Sequence, residues 1–271
     1  MPIITLLTDL GTSDWYVGSL KGQLMGMLPG VQVVDITHHV PKFDIKKAGF
    51  ILKNTYTHFP AGTVHIISVD SSVYFDKPFV ALRYADQYFI GTDNGVFSLA
   101  FGDAPLQGAV RLDAVSADWQ ESLFQARDIF SKAAILLLKG AALETLGSPL
   151  PKLYELYPFN AVFGAAGVQG NVLYADDFGN VITNIRKAEF EAHMAGRKFT
   201  ILMRRERYSM KKINRSYTSV APGDTVALFN SSGYLEIAVH GGSAHELLGL
   251  DIGDKITVLI DDYQENSKAG I

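Results

Sequence analysis

The stretch Ile3-Ile4-Thr5-Leu6-Leu7-Thr8-Asp9-Leu10-Gly11-Thr12-Ser13-Asp14 decides how the chain reads. An apolar run of strand length stops at a carboxylate, a polar turn from Gly11 to Asp14 follows, and Val17 to Leu28 then reads as a helix. Two carboxylates, Asp9 and Asp14, thus stand at the carboxyl end of a first strand. In open α/β sheets ligands collect at that edge, where loops diverge and helix N-termini point inward. The turn therefore reads as a grip on the polar parts of a small molecule; capping of the next helix by Ser13 or Asp14 is the plainer alternative.

Outward from this stretch, strand and helix alternate to about residue 148. Val31 to Ile36 is a β-branched run, Lys46 to Thr57 has a helical pattern, and Thr63 to Val69 is a buried run that ends at Asp70. Phe79 to Arg83 and Tyr88 to Gly91 read as short strands, and Ile129 to Gly140 as a helix. The alternation predicts a layered α/β domain with a mostly parallel sheet, residues 1–157. Between Gly147 and Gly167 the periodicity fails among Pro149, Pro151, Pro158 and Gly164, which marks a linker.

From Gln169 the pattern changes to short strands: Gly170 to Tyr174, Val181 to Ile185, Lys198 to Met203, Thr225 to Phe229, Leu235 to Val239 and Lys255 to Ile260. Pro222-Gly223-Asp224, Ser232-Gly233 and Gly253-Asp254 punctuate them as turns. This predicts a small antiparallel β-barrel as a second domain, residues 166–271, with a frayed tail after Asp262.

Composition narrows the function classes. A chain of 271 residues, 48% hydrophobic and with net charge −4, can bury a substantial core and lacks the basic footprint of a nucleic-acid binder. Arg204-Arg205-Glu206-Arg207 with Lys211-Lys212 is short and interrupted, and reads as solvated surface. The absence of cysteine excludes disulfides, thiolate nucleophiles and cysteine-bound metal. No apolar stretch approaches the roughly 20 residues of a membrane span, and a strand begins almost at Met1, so the expected setting is cytoplasmic.

Asp9, Asp35 and Asp70 all follow apolar runs. Carboxylates that end parallel strands share one sheet edge, so a common pocket is expected, although Asp also ends strands for turn chemistry alone. His38-His39 lacks the spacing and companions of a zinc site, and no metal is expected. Asp93-Asn94-Gly95 is a turn signal without the Lys of a nucleotide loop. No Gly-x-Gly-x-x-Gly follows the first strand, and no Gly-x-Ser-x-Gly elbow occurs. In the second half, Asn180 offers the donor and acceptor that match an adenine edge, and Phe178 a stacking face. Ser231 to Ile237 reads as a hairpin leading to an exposed small-residue loop, His240 to Ala244, whose backbone can approach a ligand.

These segments together resemble a known family. Thr8-Asp9-Leu10-Gly11-Thr12-Ser13-Asp14, Asp35-Ile36-Thr37-His38, Asp93-Asn94-Gly95, Arg127-Asp128-Ile129-Phe130, Phe178-Gly179-Asn180-Val181-Ile182-Thr183-Asn184 and Ser231-Ser232-Gly233-Tyr234-Leu235-Glu236-Ile237-Ala238 are similar to motifs of the S-adenosyl-L-methionine (SAM) hydroxide adenosyltransferases, relatives of fluorinase and chlorinase. The likeness runs in order over about residues 3–258. It implies a homotrimer with sites shared between subunits, and attack at the ribose C5′ of SAM to give adenosine and L-methionine, with SAM as substrate and no cofactor. By position, Asp9 would hold the ribose diol, Asp14 the methionine ammonium, and Phe43 would cover the ribose. Asp176 and Ser231 would contact the methionine end; Phe178, Asn180 and the backbone at Gly241 would define the adenine pocket.

The implied catalytic set of Asp, Arg and His is altered here. Asp70 matches the acid, but Lys77 stands for the Arg and Gln125 for the His of a Phe-His-Gly-Arg-Asp segment. Lys keeps a cation without a planar fork, and Gln orients water without accepting a proton. Two alternatives to hydrolysis follow: a SAM or adenosine binder that acts as sensor or scaffold, and a transferase that uses halide.

Overall fold

The opening run forms β1 (Ile3–Thr8), with five of its six residues buried. Its side chains alternate between two cores, since Ile4 and Leu6 join one apolar cluster and Leu7 another. A strand buried on both faces belongs in the middle of a sheet covered by helices on each side. That is the arrangement found in the computed structural model, which describes residues 1–72, 77–115, 122–157, 160–203 and 208–261. The tail after Asp262, residues 204–207 of the basic patch and residues 73–76 lie outside the described residues.

After β1 come α1 (Trp15–Met27), β2 (Gln32–Thr37), α2 (Ile45–Thr55), β3 (Val64–Ser68), β4 (Phe79–Tyr84), β5 (Gln87–Thr92), α3 (Val96–Phe101), β6 (Gly108–Arg111) and α4 (Ser131–Leu138). The sheet order is β2-β1-β3-β5-β4-β6; the first three pairings are parallel and the last two antiparallel. Leu20 and Leu24 of α1 and Ala133 and Ala134 of α4 share the cluster of Ile4, Leu6 and Ile66. Ala48 and Leu52 of α2 and Val96 and Phe97 of α3 share that of Leu7 and Ile67 on the other face. The antiparallel end was not foreseen: β6 is a four-residue Gly-Ala-Val-Arg run, too short to show alternation.

The chain divides into two compact units, Met1–Pro158 and Phe159–Ile271. The second contains β7 (Val162–Gly164), β8 (Gly167–Ala175), β9 (Val181–Arg186), α5 (Lys187–Met194), β10 (Phe199–Leu202), β11 (Ser209–Met210), β12 (Thr225–Phe229), β13 (Tyr234–Val239), α6 (Ala244–Leu248) and β14 (Lys255–Ile260). All pairings are antiparallel in the order β11-β10-β14-β8-β9-β13-β12, with β7 on β8. β8 pairs with β14 through its first half and with β9 through its second, and its register slips between Val172 and Tyr174. Such an irregularity bends a strand and lets one sheet curl. The curl nearly closes a barrel, as the Asn214 N–H donates to the Ala227 carbonyl at 2.7 Å across the gap between β11 and β12.

Two corrections follow. Ala244 at the end of the expected exposed loop is fully buried and opens α6, and Ser243 caps that helix by accepting the Glu246 N–H at 3.1 Å. Ser243-x-x-Glu246 is itself a helix-start signature that the preceding glycines obscure. The expected strand after Lys198 is real as β10, but α5 before it was missed; it buries only Phe190 and Met194, four residues apart.

Candidate active site

Asp9 leaves β1 nearly buried, and its carboxylate is gripped from one side. Oδ2 accepts the backbone N–H of Phe43 at 3.0 Å and that of Asp70 at 3.3 Å. Both donors sit in the left-handed region, Phe43 at φ 66° and Asp70 at φ 48°. Non-glycine residues adopt it at a cost of order 1 kcal/mol or more, and such outliers cluster at functional sites. Oδ1 has no partner among the described residues. The Lys42 ammonium donates to the Asp9 carbonyl, and Phe43, whose backbone N–H meets this carboxylate, is 65% exposed.

Asp70 is held from behind by Asn94. The Asn94 Nδ2 donates to the carbonyls of Val69 at 3.0 Å and Asp70 at 3.3 Å, and its Oδ1 accepts the Val96 N–H at 3.3 Å. The neighbouring Asp93 accepts the Tyr154 N–H with both oxygens at 3.0 Å. Burial pushes the Asp93 pKa up, against the pull of that N–H and of Arg111. Gly95 could not be another residue: it lies at φ 100°, and a Cβ there would fall 2.4 Å from the Leu156 side chain. The turn signal thus marks a clamp that fixes the backbone under Asp70.

The expected trio of strand-ending carboxylates needs correction. Asp9, Asp70 and Asp93 follow the parallel strands β1, β3 and β5. Asp35 instead lies inside β2 opposite Leu6, and its carboxylate meets the Lys21 ammonium. Burial opposes its charged form, but Lys21 and His38 outweigh that and hold its pKa below the ordinary value. His38 Nδ1 bonds with Thr8 Oγ1 at 2.8 Å; Nε2 lies 3.0 Å from Asp35 Oδ1, a close charge contact that is poorly aligned as a hydrogen bond. The His39 ring Nε2 lies 3.4 Å from Thr12 Oγ1. Among the described residues no cluster of three or more metal-ligating side chains occurs.

Asp14 stands at the N-cap position of α1, yet its side chain makes no capping hydrogen bond. The capping alternative therefore fails. Its carboxylate is solvent-exposed at the positive end of a 13-residue helix, a favourable place for a negative charge. Beside it Trp15, 60% exposed, stacks on Tyr16 with ring centres 4.4 Å apart, and both rings meet Phe124 edge-on. Gln125 follows Phe124 at the start of a π-helical turn, Ala126–Phe130, a distortion frequent at functional sites. Its Nε2 donates to the Ser122 carbonyl at 2.8 Å. Arg127 pairs with Asp128 at 2.6 Å and lies over the Phe124 ring, and that pairing lowers the Asp128 pKa. Lys77 is half-buried, two residues before β4.

In the second unit the β8–β9 turn is tied by its own carboxylate. Asp176 Oδ1 accepts the N–H groups of Phe178 at 3.0 Å and Asn180 at 2.8 Å, and Oδ2 accepts Asn180 Nδ2 at 3.0 Å. Asn180 is buried with one amide hydrogen committed, whereas Phe178 is 82% exposed. The carbonyl of Gly179, which lies at φ 77°, accepts the His245 N–H at 2.9 Å, so this turn docks against the start of α6. Ser231 lies exposed in the turn between β12 and β13, and Gly241 lies exposed in the turn after β13 at φ 73°. Asp176, Phe178, Asn180, Ser231 and Gly241 thus all lie in turns of this barrel.

Comparison with known proteins gives these features a family. The description "SAM hydroxide adenosyltransferase N-terminal domain" matches residues 4–147, and the C-terminal domain of the same family matches residues 170–257. The (R)-S-adenosyl-L-methionine hydrolase of Salinispora tropica is 32% identical, with 95% of this chain and 97% of that protein covered. The hydrolase of the same name from Thermus thermophilus is also 32% identical, over 94% of this chain and 99% of its own. A crystal structure of an uncharacterized conserved protein from Thermotoga maritima superposes with a TM-score of 0.85 at 29% identity, covering 94% of this chain and 99% of the other. The chain belongs to the SAM hydroxide adenosyltransferase family.

Proposed function

We propose that this protein hydrolyses S-adenosyl-L-methionine to adenosine and L-methionine by attack of water on the ribose C5′. The observation that carries the reading is the pair of carboxylates after β1. Asp9 is locked through Oδ2 with Oδ1 left for a ligand, and Asp14 stands uncapped five residues on. In this reading Asp9 takes the ribose diol, Asp14 the methionine ammonium, and the exposed Phe43 ring covers the sugar. Phe178, Asn180 and the Gly241 backbone receive adenine, and Asp176 and Ser231 the methionine end. No cofactor takes part.

The sulfonium makes methionine a neutral leaving group that departs without a proton. The protein then needs to bind both ends, exclude bulk water, and hold one water in line about 3 to 3.5 Å from C5′. Asp70 accepts from that water and draws off its proton, Lys77 balances the charge, and Gln125 orients the water through Oε1, its Nε2 being committed to Ser122. The C5′–S bond breaks with its electron pair going to sulfur as the C5′–O bond forms. A cytoplasmic homotrimer with sites shared between subunits belongs to the same proposal.

Gln125 also supports a second reading. A side chain that cannot accept a proton and has its amide tied up locally fits a protein that binds SAM or adenosine without turnover. Incubation of the purified protein with SAM, followed by chromatography of the adenine-containing products against an Asp70→Ala control, decides between them. Adenosine that depends on Asp70 establishes hydrolysis; intact SAM with saturable binding establishes the binder. A rate that requires halide would point to the transferase instead.

A further inference from the structure

Glu236 is a buried carboxylate in mid-strand, 3% exposed, opposite Ile182 of β9 and Leu228 of β12. Its strand neighbours Leu235 and Ile237 face the barrel core. Glu236 therefore lies on the other face of β13, where Val226, Leu228 and Ala238 pack with Val220. A carboxylate in such a place is costly unless its oxygens are fully engaged.

They are engaged on both sides. Oε1 accepts the Tyr217 hydroxyl at 2.7 Å, and Oε2 accepts Asn230 Nδ2 at 3.1 Å. That second bond fixes which way the Asn230 amide points. With Nδ2 turned to the carboxylate, Asn230 Oδ1 accepts the N–H groups of Ser232 and Tyr234, each at 3.1 Å. The Asn230 backbone completes the turn, donating to the Tyr234 carbonyl at 3.0 Å and accepting the Gly233 N–H at 2.9 Å. Ser231 rides on this turn. A flipped amide would set NH2 against two N–H donors and its oxygen against the carboxylate, so Glu236 and the two backbone N–H groups together hold Asn230 in the orientation that shapes the Ser231 turn. Burial pushes the Glu236 pKa up and the charge of Asp176 adds to the effect, which puts the two carboxylates in electrostatic reach of each other.

We propose that Glu236 is a positioning residue for substrate binding: acting through Asn230, it holds the Ser231 turn in the shape that receives the methionine end of SAM, and Tyr217 steadies the carboxylate from the opposite side. The inference rests on the assignment of Ser231 made under the proposed function. It names a residue with no direct contact to substrate, buried behind one that has.

Steady-state hydrolysis of SAM, with adenosine as competitive inhibitor, tests this in Glu236→Gln, Asn230→Ala and Ser231→Ala. Gln in place of Glu removes the charge: its oxygen can still accept from Asn230 Nδ2 only with the NH2 turned to the Tyr217 hydroxyl, which must then accept instead of donate, so the bond that sets the Asn230 amide is weakened. The expected result for Glu236→Gln is a KM for SAM raised about tenfold, the loss of roughly one charge-assisted hydrogen bond. In the same variant kcat and the adenosine inhibition constant stay within about twofold. Ser231→Ala gives the same split, and Asn230→Ala reproduces it from the exposed side of the link should the strand variant fail to fold. A general loss of structure would move the adenosine constant as well. If Ser231→Ala raises KM while Glu236→Gln and Asn230→Ala leave it unchanged, the positioning role is wrong and the assignment of Ser231 stands. If Ser231→Ala leaves KM unchanged, that assignment is wrong and the positioning role falls with it.

Discussion

The backbone N–H of Phe43 donates to Asp9 Oδ2 at 3.0 Å from a residue held at φ 66°. One bond therefore does two things. It engages Oδ2 while Oδ1 has no partner among the described residues, and it holds the backbone that carries an exposed aromatic ring in a strained conformation. The two roles can be separated at Phe43. Phe43→Gly keeps the N–H and relieves the left-handed conformation, worth about 1 kcal/mol, against a similar entropic cost for glycine in the unfolded chain. Thermal unfolding should be unchanged or slightly raised, while KM for SAM rises about tenfold from the lost cover. A variant with reduced stability and unaltered KM would show that the ring packs rather than binds.

Asn94 makes the complementary case. Its side chain touches no proposed substrate group, yet it carries the carbonyls of Val69 and Asp70 on one amide and is itself fully buried. Asn94→Ala leaves those buried acceptors unmet at a cost of about 1 to 3 kcal/mol. It also frees the strained Asp70 backbone, so kcat should fall further than KM changes. Urea unfolding together with steady-state kinetics checks both. Equal losses in kcat and stability with Asp70→Ala in the same background causing no further fall in rate would confirm that the two residues act as one unit; a full additional loss would show that they are independent.

How much of this was readable from the chain depends on how local the physics is. The boundaries of β12 and β14 coincide with those expected, Thr225–Phe229 and Lys255–Ile260, because Gly223 and Gly233 bracket the first and Gly253 precedes the second, whose apolar run stops at Asp261. The placement of Asp9 and Asp14 at a strand-to-helix turn was legible for the same reason. Asn94 was visible only as a turn former, since its partners lie 24 and 25 residues away in sequence. The left-handed backbones of Phe43 and Asp70 were invisible, since Asp tolerates that region but seldom occupies it and nothing local marks Phe43 for it. Asp35 misled because its apolar run continues past it to Thr37, and only the pairing with Leu6 shows that it sits mid-strand.

Gly179 is required by space as well as by conformation. At φ 77°, a Cβ there would fall 2.1 Å from Ser243 Oγ, 2.5 Å from Ser243 Cβ and 2.8 Å from Ser243 Cα. Gly179→Ala should destabilise the protein by about 2 to 4 kcal/mol, combining left-handed strain with a clash at the cap of α6. Truncating Ser243 to Ala in the same background should not restore stability, because its Cβ and Cα remain in the way. Chemical denaturation of the single and double variants tests this. Recovery in the double variant would mean that the hydroxyl alone sets the constraint.

His65 should make the first unit sensitive to acid. It is fully buried in β3, with Nδ1 2.7 Å from Thr5 Oγ1 and Nε2 2.7 Å from Gln87 Oε1. Gln87 Nε2 donates to the Phe59 carbonyl at 2.8 Å and the Tyr56 carbonyl at 3.3 Å, so its oxygen must face the histidine and Nε2 of His65 carries the proton. Burial drives the His65 pKa down from 6.5 to about 4, against the Gln87 bond, which raises it. The folded state thus favours the neutral ring. Its stabilising effect is complete above pH 6.5 and is lost as the pH falls from there towards 4, by about 3 kcal/mol in all at 1.36 kcal/mol per unit. His65→Phe keeps the stack on Phe89, whose ring centre lies 4.7 Å away, but leaves the Gln87 oxygen without its donor. The variant should therefore be less stable than the parent at pH 7.5, and the difference should shrink by roughly 2.5 kcal/mol at pH 4.5. Carboxylates common to both proteins cancel in that difference, so urea midpoints at the two pH values isolate the ring; parallel losses in the two proteins would show that His65 remains neutral in the unfolded chain as well or titrates unperturbed in the folded one.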